Sequence, residues 1–116
     1  MTTETPWGPA ETAREIAPGI IHYGTASHGG YYVAPERVAQ MPPPLRDFQP
    51  FAGPNFYEQD CDWSIVALAF PQSFPSDALA AAAETLQHYR PELYREMAKQ
   101  SRAGEHRAAG GGAGRG

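Results

Sequence analysis

The residues best suited to chemistry in this 116-residue chain are one histidine and a group of carboxylates. His28 precedes two glycines, and an imidazole in such an open turn can act as an acid, a base or a metal ligand. Three carboxylates surround the only cysteine: Glu58, Asp60 and Asp62. They could orient the imidazole or share a divalent cation with it. The sequence therefore indicates a polar site, with His28 and Asp60 as the candidate catalytic pair.

The run that follows the carboxylates predicts the central buried helix of the fold. Its apolar residues recur at spacings of three and four, as one face of a helix does: Trp63, Val66, Ala67 and Phe70. Backbone N–H groups and the helix dipole favour negative charge at a helix start. The three carboxylates would then lie in the first turn if the helix starts early, whereas a later start would make Asp60 the N-cap. In either case their role would be structural.

Cys61 is a second candidate for chemistry, as a nucleophile with His28 as its base. A helix start lowers the pKa of a cysteine, which favours the reactive thiolate. The neighbouring carboxylates act in the opposite direction because negative charge disfavours the thiolate. A lone cysteine beside an apolar helix is more often a small buried side chain, and the pattern favours that interpretation.

The other predicted elements position these residues. A helical turn is predicted at 11–16, a hairpin of strands at 20–25 and 31–33, and a short helix at 35–41. Residues 42–55 are predicted to form a proline-rich loop, held to the core by Leu45, Phe48 and Phe51. A helix capped by Ser76 and Asp77 follows over 78–90, with Leu79, Ala82, Ala83, Leu86 and Tyr89 on its apolar face. A further helical segment from residue 91 carries Leu93, Tyr94 and Met97.

These elements predict an α+β fold in one domain. A small antiparallel hairpin or sheet packs on the central buried helix, and one or two C-terminal helices cover it. The domain is predicted to span residues 5–101. Residues 1–4 and the Ala-, Gly- and Arg-rich tail at 102–116 are predicted to be disordered.

Aromatic side chains allow two interpretations. They either fill a small core or rim a groove for a peptide or small molecule: Tyr31, Tyr32, Phe48, Phe51, Phe56, Tyr57 and Trp63. Trp7, in a segment rich in Pro and Gly, is either an anchor on the core or an exposed residue that grips a ligand. In both cases the core is the interpretation that the pattern favours.

Composition excludes several classes of function. A net charge of −4 gives no reason to expect nucleic acid as a partner. A single cysteine cannot form an intramolecular disulfide, and no apolar run approaches the roughly 20 residues of a membrane helix. We therefore expect a cytoplasmic protein without a membrane partner. No phosphate- or dinucleotide-binding motif and no zinc-ligand spacing is present, so no cofactor is expected, with a divalent metal as the one alternative.

Three blocks of sequence carry a resemblance. Residues 5–8 read TPWG, residues 25–30 read TASHGG, and residues 60–63 read DCDW and lead into an apolar helix. In this order they resemble a family of small domains of unknown function found in bacteria, phages and plasmids, over residues 5–75. The resemblance implies a mobile-element setting, in which small proteins often act by binding host or rival machinery.

The leading hypothesis is a non-enzymatic binding module that recognises a protein or small ligand. Its predicted binding residues lie on the histidine turn, at the acidic helix start and nearby: Trp7, Ser27, His28, Gly29, Gly30, Tyr32, Glu58, Asp60, Cys61, Asp62 and Trp63. The alternative is a hydrolase-like enzyme that uses His28 with the three carboxylates, with or without a divalent metal. A third hypothesis, an inhibitor of a host defence complex, is the binding module with a particular partner.

Overall fold

A four-stranded antiparallel sheet with helices packed on one face forms the body of the protein. The computed structural model describes residues 3–100. The strands are β1 (Glu4–Thr5), β2 (Gly8–Pro9), β3 (Thr12–Ala17), β4 (Ile20–Gly24), β5 (Gly29–Val33) and β6 (Phe56–Glu58). The helices are α1 (Pro35–Val38), α2 (Pro43–Asp47), α3 (Trp63–Ala69), α4 (Ser76–Tyr89) and α5 (91–100), with a 3-10 turn at Pro71–Ser73. The predicted α+β class is confirmed.

The register of the sheet separates an inner face from an outer face. The strands lie in the order β3-β4-β5-β6, and β1 and β2 form a separate two-stranded hairpin. Ile20 is opposite Val33 and Tyr31 is opposite Tyr57. Because successive side chains alternate between faces, these residues share the inner face. Ile20, Val33 and Tyr57 are at most 1% exposed and join the helices in the core.

The outer face carries a second set of large side chains. Tyr32 is opposite Phe56, and Tyr23 is opposite Gly30. These aromatic residues are half-buried, and none of them belongs to the core cluster or packs against it among residues 3–100. Large apolar side chains therefore lie on both faces of the sheet.

The predicted hairpin at the histidine is confirmed as β4 and β5. Thr25 closes the turn between them, since its backbone N–H and its hydroxyl both donate to the carbonyl of His28. The N–H of His28 in turn donates to the Thr25 hydroxyl oxygen at 3.1 Å. These bonds hold the turn at the edge of the outer face.

The predicted helical turn at 11–16 is wrong, because this segment forms strand β3. Gly19 has a φ of 80°, which glycine adopts without steric cost. Pro18 and Gly19 thus form a tight turn that folds the preceding residues back onto β4, with Ala17 opposite Ile20. Tertiary pairing therefore overrides the local helical preference.

The central helix is confirmed, but it starts later than predicted. Residues 56–58 form strand β6, and α3 begins at Trp63 with Asp62 at the N-cap position. The carboxylates thus precede the helix instead of forming its first turn. Val66 and Ala67 are fully buried as predicted. Ser64 and Ile65 are fully buried as well, so α3 is enclosed on more than one side.

The loop predicted at 42–55 contains a short helix, α2. Prolines that were expected to prevent regular structure occupy its first positions, where the missing N–H costs no hydrogen bond. Leu45 is fully buried and Phe48 packs against the core, as predicted. Phe51 does not hold the loop to the core, because it is 93% exposed.

Helices α4 and α5 confirm the two C-terminal helices. α4 begins at Ser76 with Pro75 at the N-cap position, so the predicted capping by Ser76 is wrong. Ala82 and Leu86 are fully buried, whereas Tyr89 is 60% exposed and does not lie on the buried face. The predicted apolar residues of α5 pack against the core: Leu93, Tyr94 and Met97.

Two further predictions concern the chain ends and the membrane. Glu4 pairs with Pro9, so strand β1 begins inside the segment predicted to be disordered, while residues 1–2 lie outside the described residues. The predicted disordered tail at 102–116 also lies outside them. Within residues 3–100, every helix is too short or too polar to cross a membrane.

Candidate functional site

Trp7 lies on the outer face of the sheet, where a glycine makes room for it. The β1–β2 hairpin presents the ring, and the Thr5 hydroxyl stabilises the turn by donating to the Gly8 carbonyl and accepting from the Trp7 N–H. A Cβ on Gly30 would lie 2.5 Å from the Trp7 ring and 2.5 Å from the Tyr57 carbonyl oxygen. Gly30 is therefore required for the close approach of the ring to the sheet.

An aromatic row runs across the outer face and ends at the histidine. The ring centroids of Tyr32 and Phe56 are 5.4 Å apart, and those of Phe56 and Trp7 are 5.9 Å apart in an edge-on arrangement. Trp7 is in turn 6.2 Å from the His28 ring. We call these four side chains, Tyr32, Phe56, Trp7 and His28, the outer row.

Two carboxylates lie at the histidine end of the outer row. Nε2 of His28 is 3.6 Å from Oε2 of Glu58 and 3.8 Å from Oδ2 of Asp60. Both distances are longer than a direct hydrogen bond. The Asp60 side chain is 75% exposed and the Glu58 side chain 16%. The structure therefore brings together three of the residues selected from the sequence and leaves Asp60 accessible from solvent.

Glu58 holds the turn before α3 in place. Its Oε2 accepts the N–H of Asp60, and its Oε1 accepts the N–H groups of Cys61 and Asp62, at 2.7 to 2.9 Å. Burial raises the pKa of this carboxyl, but the three N–H donors and the nearby His28 outweigh burial and hold the pKa below its ordinary value. Glu58, and not the predicted Asp60, therefore satisfies the backbone donors ahead of the helix.

Asp62 is not part of an open acidic helix mouth, contrary to prediction. Its side chain is fully buried, and Oδ1 accepts from Nε and Nη2 of Arg90 at 3.0 and 2.9 Å. Oδ2 is buried and has no hydrogen-bond partner among residues 3–100. The Arg90 guanidinium also lies 4.5 Å from the centroid of the Phe48 ring. Asp62 thus joins the start of α3 to the end of α4.

Cys61, which lies between Asp60 and Asp62 in the sequence, is poorly suited to be a nucleophile. Burial is the main reason that the pKa of its thiol is raised to about 11. Arg90 lowers this pKa in part, while the carboxylates of Asp62 and Glu58 raise it further. The thiol therefore stays protonated at neutral pH.

The remaining predicted residues fall in different places. Ser27 is exposed at the tip of the histidine turn, and Gly29 is buried beside it. A Cβ on Gly29 would lie 2.8 Å from Oε1 of Gln59, so this glycine also serves close packing. Trp63 does not join the outer row, since it lines a cavity on the inner side of the sheet.

Two residues that shape the site are not among the binding residues predicted from the sequence. Phe56 joins Trp7 to Tyr32, and alternation along β6 would have placed it beside Glu58 if that strand had been predicted. Arg90 pairs with Asp62 across 28 positions of sequence. No spacing pattern signals a contact of that kind.

The chain belongs to the family described as a domain of unknown function, DUF7007, whose model matches residues 1–110. This agrees with the resemblance to a family of unknown function and extends it beyond residues 5–75. No curated protein and no solved structure matches the chain.

Proposed function

We propose that this protein is a non-enzymatic binding module for a protein segment that carries basic and apolar side chains. The observation that carries the proposal is the outer row, which joins half-buried aromatic rings to two carboxylates. Tyr32, Phe56 and Trp7 offer an apolar surface outside the core, and Glu58 and Asp60 supply negative charge at its end. Aromatic residues at the centre of a contact and charges at its rim are typical of protein interfaces.

Charge complementarity selects a basic partner. A Lys or Arg side chain could contact the face of Trp7 and donate to Asp60 at the same time. The net charge of −4 also favours the approach of a basic segment. An apolar neighbour in that segment would cover Tyr32 and Phe56. An inhibitor of a host defence complex would be this same function with a particular partner.

The geometry around the candidate catalytic groups supports binding over catalysis. The Cys61 thiol is protonated at neutral pH, and Asp62 is committed to Arg90. His28 lies beyond hydrogen-bond distance of both carboxylates, so residues 3–100 contain no oriented imidazole–carboxylate pair at this site.

Selection from a random-peptide phage library tests the proposal. We expect the wild-type protein to enrich peptides that combine Lys or Arg with an aromatic or aliphatic residue. His28→Ala and Asp60→Ala should reduce the capture of these peptides, because each removes an accessible polar group of the site. Phe51→Ala is the control, since Phe51 is 93% exposed and belongs neither to the outer row nor to its carboxylates. Enrichment of acidic peptides, or equal capture by all variants, would contradict the proposal.

The hydrolase-like alternative keeps support from one observation. One ligand atom from each of His28, Glu58 and Asp60 lies within 4.8 Å of the others, a spacing that a divalent cation could bridge. An NMR titration with Zn²⁺, Mn²⁺ and Mg²⁺ tests it. Saturable changes at the His28 ring and the amides of residues 58–62 at micromolar metal would favour this alternative. Spectra that do not respond would leave the binding module.

A further inference from the structure

A cavity of about 350 Å³ lies on the side of the sheet opposite the outer row. It is bordered by strands β3 and β5, the start of α3 and the segment that leads into α4. Its polar and aromatic lining residues are Arg14, Glu15, Tyr31, Trp63, Ser73 and Phe74. The volume falls at the lower end of the range of about 300–1,000 Å³ that is usual for small-molecule sites.

Strand register places one cation at the edge of this cavity. Arg14 is opposite His22, and His22 is opposite Tyr31, so the three side chains form a row on the inner face. Burial, and then the charge of Arg14, lower the pKa of His22. His22 is therefore neutral at pH 7, and Arg14 is the cation of this row.

Arg14 forms no ion pair with any carboxylate among residues 3–100. Glu15 also borders the cavity, but alternation along β3 directs its side chain to the other face of the sheet. An exposed guanidinium at the mouth of a cavity is suited to a planar anion such as a carboxylate, or to a phosphate.

The inner part of the cavity combines hydroxyl groups with aromatic walls. The hydroxyls of Tyr31 and Ser73 take part in no hydrogen bond within the described part of the chain. Burial raises the pKa of Tyr31, with Arg14 opposing, so its hydroxyl stays protonated and able to donate. The rings of Tyr31 and Phe74 pack at 5.7 Å, and Trp63 is half-buried beside them.

We propose that this cavity binds a small carboxylate or phosphate that carries an aromatic or other planar apolar group. Arg14 would pair with the anion, and Tyr31 and Ser73 would donate hydrogen bonds. The apolar group would lie against Trp63 and Phe74. This site is separate from the protein-binding surface proposed on the outer face, and neither proposal depends on the other.

NMR titrations of the labelled protein with four probes test the site. Benzoate and phenyl phosphate carry a ring and differ in the anion, benzyl alcohol carries the ring alone, and inorganic phosphate carries the charge alone. We expect saturable shifts of the Trp63 indole N–H and the Ala78 amide with benzoate or phenyl phosphate at millimolar concentration. Whichever of benzoate and phenyl phosphate binds more tightly identifies the anion, carboxylate or phosphate, that the site prefers. The other two probes should bind more weakly.

Arg14→Gln should lower the affinity for the tighter-binding of the two ring-bearing anions by about tenfold or more, as expected for loss of a charge-assisted hydrogen bond. Arg95→Gln, a change at another exposed arginine, on α5, should leave its affinity unchanged. Failure of both ring-bearing anions to shift these signals would overturn the proposal. So would equal binding of benzyl alcohol, or equal affinity of the Arg14→Gln variant.

Discussion

Glu58 is the residue on which the geometry of the site depends. Its carboxylate accepts three backbone N–H groups and so fixes the turn between β6 and α3, and its Oε2 also lies 3.6 Å from Nε2 of His28. Substitution by glutamine keeps the size of the side chain but removes the charge that these donors stabilise. The free energy of unfolding should therefore depend on whether Glu58 is ionised.

We expect Glu58→Gln to lower the free energy of unfolding by about 2 kcal/mol at neutral pH. Because the folded-state pKa of Glu58 lies below its unfolded value, this contribution is present above the unfolded pKa. It is lost as the pH falls through the folded-state pKa. Urea unfolding of both proteins at neutral and acidic pH measures the difference. Glu84→Gln, on the exposed side of α4, is the control. A difference that does not shrink in acid would contradict this role.

The raised pKa of Cys61 predicts that its thiol is alkylated slowly in the folded protein. With a thiol pKa of about 11, Cys61 of the folded protein should react only slowly with iodoacetamide at pH 8. The alkylation rate should be about a hundredfold below that of an unperturbed cysteine, because so little thiolate is present. The same protein unfolded in urea is the control. A folded rate equal to the unfolded one would show that the thiol is activated or exposed, and would revive Cys61 as a nucleophile.

The ion pair of the buried Asp62 and the partly exposed Arg90 joins α3 to α4. Arg90→Met would leave a buried carboxylate without its cation, so we expect a loss of about 3 kcal/mol in the free energy of unfolding. Adding Asp62→Asn in the same protein should restore part of that loss, since the uncompensated charge is then removed. Arg95→Gln is the exposed control, and urea unfolding measures all of these variants. A loss for Arg90→Met no larger than for the control would contradict the role of the pair.

Some of these elements could be predicted from the sequence alone, and others could not. The apolar spacing of α3 and the β-branched and aromatic residues of β4 predicted both elements because their local pattern agrees with their burial. Strand β3 was not predicted because its mostly exposed residues show no alternation of apolar and polar side chains. Its conformation is decided by pairing with β4. The meeting of His28 with Glu58 and Asp60 was foreseen from residue types. The burial of Asp62 depends on a distant arginine and could not be foreseen.

For the whole molecule, the sheet separates two surfaces of opposite character. The outer face presents aromatic rings and two carboxylates, whereas the inner edge presents Arg14 over an aromatic cavity. The helices that bury the inner face leave the outer row outside the core. We therefore expect a basic protein segment to bind on one side of the sheet and a small anion on the other.

An NMR titration with two short acetylated tripeptide amides tests whether the outer row binds a basic segment. One peptide carries leucine between two arginines, and the other carries leucine between two glutamates. We predict that the basic peptide alone produces saturable shifts at the Trp7 indole N–H and at the amides of Gly30, Phe56 and Asp60. Equal shifts with both peptides, or shifts confined to the inner face, would contradict a binding surface on the outer row.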